Sequence, residues 1–209
     1  MTEYPNRNSP SQVDLDGNSR LDEPPVLAAA RGILGRTLVG HGVSVQVTEV
    51  EAYNGPDDPA SHAYKRTPRS EIMYGPPFRL YVYQIHTHFC ANIVTSEEGQ
   101  GSAVLLRAGR IVDGIELARE RRGNVADDLL ARGPGNLTRA LGITKADLAT
   151  DLLTENGVHL SPQRPNEPIE IKNGPRVGIR LAADWPWRFW IADAQSVSAY
   201  RRHAKAKLT

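Results

Sequence analysis

The stretch Thr37–Tyr53 reads TLVGHGVSVQVTEVEAY. Two runs rich in β-branched residues flank Gly40, His41 and Gly42, the residue chemistry of a tight turn between antiparallel strands. The second run ends in two acids and a tyrosine. Glu49, Glu51 and Tyr53 are spaced by two, so on a strand their side chains share one face. Acids on a sheet face are costly if buried without partners. Two readings therefore stand side by side: the acids face solvent, or one of them is a general base in a partly dry pocket.

Upstream, Asp22 and Glu23 precede Pro24 and Pro25 and then VLAAARGIL, which predicts a short helix with proline in its first turn, ending near Gly35. Downstream, residues 54–79 hold NGPDDP and GPP, turn chemistry dense enough to predict one long ordered loop. Residues 80–94, LYVYQIHTHFCANIV, read as a strand, as does SAVLLRA after an EEGQG turn. Ile111, Ile115 and Ala118 predict a helix over 109–122. Asn136 is placed to cap a helix that ends at Gly142. IEIKNGPRVGIR and WRFWIA predict short strands around an Asn-Gly turn. Strands in hairpins with helices at intervals predict an α+β domain built on an antiparallel sheet.

The chain has 209 residues and 23.0 kDa, the size of one domain. Residues 1–21 are rich in Asn, Ser, Pro and Asp and read as a disordered tail, leaving 22–209 as the folded unit. Apolar runs reach about five residues, against roughly 18 for a membrane-spanning helix. MTEYPNRNSP lacks the basic start and apolar stretch of a secretory signal, so a cytoplasmic protein is expected. A single cysteine, Cys90, cannot close an internal disulfide or supply a multi-cysteine zinc site. Net charge is +1, divided into −3 over residues 1–23 and +4 over the rest. That is well short of the footprint of a purely phosphate-driven binder.

One segment concentrates potential chemistry. Residues 53–89 hold seven of the thirteen aromatic residues and three of the six histidines. Clustered aromatic rings near turns suit either a strand core or stacking on a planar ligand such as a nucleobase. Tyr81 and Phe89 fit the core reading best. His86, His88 and Cys90 fall on one face if 80–94 is a single strand. With Glu49 or Glu51 they would make a first-row metal site, although such spacing is common by chance. Gly133-Pro134-Gly135 precedes a helix without either glycine-rich nucleotide pattern.

The string VTEVEAYNGPDDPASH, followed in order by TPRSEIMYGPPFRLYVY, CANIV, VLLRA and ARGPGNLTRALGI, resembles the alkyladenine (3-methyladenine) DNA glycosylase family from about Leu27 to Ala199. The resemblance implies a single compact mixed domain on a curved antiparallel sheet with flanking helices. It also implies a monofunctional base-excision enzyme that flips alkylated or deaminated purines out of double-stranded DNA. No metal or other cofactor is implied, and a monomer is expected. It assigns the general base to Glu51, with Glu49 a supporting or surface acid, and Arg107 to holding the attacking water. Tyr53, His62 and Tyr83 become the aromatics that hold the base, where a cationic purine would gain cation-π energy from Tyr53 and Tyr83. Asn92 becomes the residue that crowds the amino group of normal guanine. Many relatives carry a tyrosine wedge on a stretch one residue longer than QIHTHF here, which leaves His86 as the expected DNA-inserting wedge with His88 as its competitor. Alternatives are a metal hydrolase, a noncatalytic lesion-binding module, and a strand-nicking enzyme using a nearby amine, for which Lys65 is the one candidate.

Overall fold

In a computed structural model, which describes residues 23–161 and 168–207, the fold is organised by one long strand, β2 (Val43–Asn54). It pairs back onto β1 (Thr37–Gly40) through a two-residue turn in which His41 and Gly42 both have positive φ, 48° and 82°. This is the primed turn whose twist matches that of the flanking strands. The other edge of β2 pairs along its length with β5 (Ser102–Asp113). Residues 1–21, expected as a tail, lie outside the described residues.

The remaining strands are β3 (Leu80–Ile85), β4 (His88–Val94), β6 (His159–Leu160), β7 (Ile171–Gly174) and β8 (Arg188–Ile191). They complete an eight-stranded sheet in the order β3-β4-β5-β2-β1-β6, with β8 joining β2 and β7 joining β8. Every pairing is antiparallel. One edge of β2 is shared by two partners: β1 takes Val43–Gln46, and β8 takes Glu49–Glu51. The handover between them falls at a break in register against β5, where Val47 pairs with Gly109 and Glu49 with Ala108.

That break changes which residues face the core. Val43, Val45 and Val47 are in the main core, and strict alternation would send Glu49 and Glu51 there too. The extra residue, Thr48, shifts the parity, so that Val50 and Ala52 continue the core face instead. Glu49, Glu51 and Tyr53 then emerge on the opposite face. Gly109 permits the close approach: a Cβ there would lie 2.2 Å from Val45 Cγ1 and 2.6 Å from the Gln46 carbonyl oxygen.

Among the described residues three α-helices cover the sheet and flank its edges. Helix α1 (Pro25–Ile33) begins with proline as expected and buries Val26, Leu27, Ala30 and Ile33. Helix α2 (Ile115–Arg122) is shorter than the sequence suggests, because residues 109–113 continue β5 and Gly114, at φ 72°, ends the strand. Helix α3 (Pro134–Leu141) ends at Gly142 in the left-handed conformation. Its N-terminus differs from expectation: Gly133 is the N-cap and Pro134 the first helical residue, while Asn136 lies inside and donates to the Arg132 carbonyl at 2.7 Å.

Three further expectations are corrected. Residues 80–94 form a hairpin, β3 and β4, turning at His86, whose φ is 52°. The 54–79 loop contains 3-10 turns at Gly55–Asp57, His62–Tyr64 and Glu71–Tyr74, and closes a second apolar cluster of Ala63, Met73, Tyr74, Tyr81, Val94 and Ala103. Asn173 and Gly174 end β7 rather than forming a tight turn, and residues 175–187 make an excursion before β8. Among the described residues no helix is long and apolar enough to cross a membrane.

Candidate active site

Glu51 is fully buried on the face that the bulge opens. Its Oε2 accepts from the Tyr53 hydroxyl at 2.9 Å, and its Oε1 from the Val177 backbone N–H at 2.7 Å. Arg107 Nη1 lies 3.3 Å from the same Oε1. A carboxylate can accept about four hydrogen bonds, so two donors and the Arg107 ion pair hold this one still and leave acceptor capacity for a water. Burial and the neighbouring Glu51 charge push the Tyr53 phenol well above its ordinary pKa, so it remains a donor.

Arg107, from β5, is oriented from behind. Its Nε donates to Glu49 Oε1 at 3.0 Å and its Nη2 to Ser198 Oγ at 3.1 Å. Glu49 is also fully buried, so of its two expected places, supporting or surface acid, the surface one is ruled out. It accepts from Arg188 Nη1 at 3.2 Å, from the Ser198 N–H at 2.7 Å and from Ser198 Oγ at 2.9 Å. Ser198 is 149 residues away in sequence, which is why local pattern reading does not find it.

Glu51, Tyr53, His62, Tyr83, Asn92 and Arg107 all line one cavity of about 230 Å³. Six residues drawn from five segments thus converge, and the aromatic ones form a cage. The His62 ring meets Tyr83 edge-on, centroids 4.6 Å apart at 74°, and its Nδ1 is hydrogen-bonded to the Tyr81 hydroxyl at 3.0 Å. Tyr81 therefore belongs to the cavity wall as well as to the core, and Cys90 joins it there. Asn92 pairs across β3 with Tyr81 and donates from Nδ2 to the Tyr81 carbonyl at 3.1 Å, which fixes its amide.

The cage is electrically neutral. His62 is exposed as a residue, but desolvation of its ring at the cavity wall, and after it the Arg69 guanidinium, push its pKa down to about 4, so the imidazole is uncharged at neutral pH. Burial pushes the Tyr83 phenol up, with Cys90 as the next cause. The cavity's own charges are the Glu51 carboxylate and the Arg107 guanidinium beside it.

Two guanidinium groups already stand over the cage rings. Arg176 lies 4.6 Å from the Tyr53 centroid, and Arg69 lies 5.1 Å from that of Tyr83. Arg176 is almost fully buried and ion-paired with Asp58, Nη2 to Oδ1 at 2.9 Å, and it also donates to the Ala52 carbonyl at 2.9 Å. Asp58 in turn accepts from the Ala60 N–H at 2.9 Å. The NGPDDP turn is thereby locked to the residue preceding Val177, whose N–H holds Glu51. Neither Arg176 nor Val177 carries a local sequence signal; only the excursion 175–187 brings them here.

His86 is exposed at the tip of the β3–β4 hairpin, outside the cavity, where its carbonyl accepts from Gln84 Nε2 at 2.8 Å. His88 begins β4 and packs against Gly135, at which a Cβ would lie 2.9 Å from that of His88. The hairpin turn thus separates His86 from the face shared by His88 and Cys90. Among the described residues no group of three or more His, Cys, Asp or Glu is arranged to hold a metal ion. Lys65 is exposed and does not line the cavity.

The model of the methylpurine-DNA glycosylase family matches residues 20–195. A protein of Mycobacterium tuberculosis (strain H37Rv) named "Putative 3-methyladenine DNA glycosylase" is 49% identical over 189 residues, covering 86% of this chain and 92% of its own length. Equally named proteins of Mycolicibacterium paratuberculosis and Mycobacterium sp. (strain KMS) are 49% and 48% identical, over 85% and 86% of this chain and 90% and 91% of their own. With a sheet that carries a buried, guanidinium-braced carboxylate beneath an aromatic cage, and with these likenesses along its folded length, the chain belongs to the methylpurine-DNA glycosylase family and is a DNA-repair glycosylase, a hydrolase of N-glycosyl bonds.

Proposed function

We propose that the enzyme acts as a monomer on double-stranded DNA, extrudes an alkylated or deaminated purine into the cavity, and hydrolyses its N-glycosidic bond with a water activated by Glu51. The observation that carries this reading is the meeting, in one cavity, of a buried carboxylate with a spare acceptor position and a neutral cage of rings. Extrusion costs a few kcal/mol, and less for a damaged or mispaired base. His86, at the exposed hairpin tip, fills the space that the nucleotide leaves.

Inside the cage the base stacks on Tyr53, His62 and Tyr83. A neutral His62 matters here, because an imidazolium would repel a cationic methylpurine. The guanidinium groups over Tyr53 and Tyr83 share the π-density of those rings, so cation-π selection for charged lesions is weaker than two free tyrosines would give. This favours acceptance of neutral deaminated purines beside alkylated ones. Asn92, its amide held by the Tyr81 carbonyl, crowds the exocyclic amino group of normal guanine.

Glu51 takes a proton from water as the oxygen attacks C1′, and its negative charge stabilises the oxocarbenium character developing on the sugar. Arg107 steadies the carboxylate and the water. A methylpurine cation leaves as a neutral base, whereas hypoxanthine requires protonation as it departs. The products are the free base and an abasic site.

The test is base release from methylated DNA and from a duplex carrying one hypoxanthine, by the wild type and by Glu51→Gln, with a chelator present. Release that depends on Glu51 and ignores the chelator is expected. Retained lesion binding without release by the wild type would support a noncatalytic binding module instead.

A further inference from the structure

Tyr200–Lys207 reads YRRHAKAK and contains no acid. The family match stops at residue 195, so this segment lies outside it. Basic termini are commonly solvated tails, but this one is tied down. The Gly178 N–H donates to the Arg201 carbonyl at 2.9 Å, the Lys207 N–H to the Arg180 carbonyl at 2.7 Å, and the Ala183 N–H to the Lys207 carbonyl at 3.3 Å. The segment it binds starts at the cavity, which Gly178 and Ile179 line.

Because these attachments are main-chain bonds, the side chains are free to project. Arg180, Arg201, Arg202, Lys205 and Lys207 are exposed, and among the described residues none of them forms an ion pair. Five exposed cations are thus carried on backbone tied to the segment that reaches the cavity, in a chain whose net charge is only +1. Affinity for a polyanion depends on local charge of this kind rather than on the total.

We propose that residues 201–207, with Arg180, form a strap that grips the phosphate backbone of duplex DNA next to the extruded nucleotide. This rests on the glycosylase reading above. It adds a contact surface beyond the residues that the family model matches, and it supplies affinity for any duplex, since phosphates carry no sequence information.

The experiment compares the wild type with the quadruple variant R201Q/R202Q/K205Q/K207Q, on undamaged duplex and on the same duplex with one hypoxanthine, over a range of salt. Each phosphate contact contributes about 0.9 to the slope of log K against log salt. The variant is expected to bind both duplexes more weakly and to lose about 2 or more from that slope. Its melting temperature should stay near that of the wild type, since the strap is held by its backbone. The charge reversal R201E/R202E changes the local charge by the same amount and should weaken binding comparably. An unchanged slope in both variants would overturn the strap, as would slowed excision at an unchanged slope, which would make the segment part of the cavity wall. A wild type that binds duplex but releases no base would overturn the functional reading and leave the salt-slope result to judge the strap by itself.

Discussion

Glu49 and Glu51 lie two residues apart on β2, are equally buried and share the guanidinium of Arg107, yet their surroundings differ in kind. Glu49 is closed: two arginines and Ser198 occupy its oxygens, and no lining of the cavity includes it. Glu51 is open on one side: it lines the cavity, and its partners are a phenol, one backbone N–H and one edge of Arg107. Burial alone therefore does not tell the two carboxylates apart. What separates the two is whether the carboxylate has acceptor capacity left and where that capacity points. One acid holds the C-terminal segment and Arg107 in place; the other uses the order so created.

The largest test of this contrast is Glu49→Ala. It leaves Arg107 and Arg188 buried without their shared anion, and breaking a buried pair in this way costs about 3 to 5 kcal/mol. A fall of that size in denaturant-determined stability is expected, and a change below about 1 kcal/mol would remove the structural role assigned to Glu49. Glu51→Gln should do the reverse, folding normally and still binding lesion DNA while losing a factor of about 10² or more in single-turnover excision. Near-normal turnover would sink the general-base assignment.

Smaller effects sharpen the picture away from the carboxylates. His86→Ala should weaken lesion-DNA affinity about fivefold or more, the low end of stacking contributions of about 1 kcal/mol, and more than His88→Ala does. Equal or reversed losses would move the wedge to His88. The pH dependence of His62 is the smallest. Its folded pKa of about 4 lies below the ordinary 6.5, so the unfolded chain takes up the proton first, and stability declines as pH falls from about 6.5 to about 4. His62→Phe should flatten that part of the acid-side decline in urea midpoint. An identical decline in the variant would place the titration elsewhere.

Much of this was legible beforehand, for identifiable reasons. The β1–β2 hairpin is written in its turn residues, α1 in its proline start, and the end of α3 in Gly142. The motif resemblance singled out Glu51, Tyr53, His62, Tyr83, Asn92 and Arg107, and the structure gathers all six. Where reading failed, two local patterns competed. The 80–94 run has strand composition throughout, and only the left-handed His86 divides it. Ile111 fits a helical spacing equally well, but the ladder to Val45 claims it for β5.

By itself the sequence determined the β1–β2 hairpin, α1 and the end of α3, since turn chemistry, β-branched runs and proline placement act over a few residues. Through motifs in fixed order it also singled out six side chains that the fold brings to one cavity. It left open whether Glu49 and Glu51 face core, solvent or cavity, because a period of two assigns faces only until a bulge shifts the count. Thr48 and the close approach of Gly109 shift it. The tertiary structure alone decided which acid is closed and which is open, because Ser198, Arg188 and Val177 reach them from more than a hundred residues away, and no local pattern encodes that meeting.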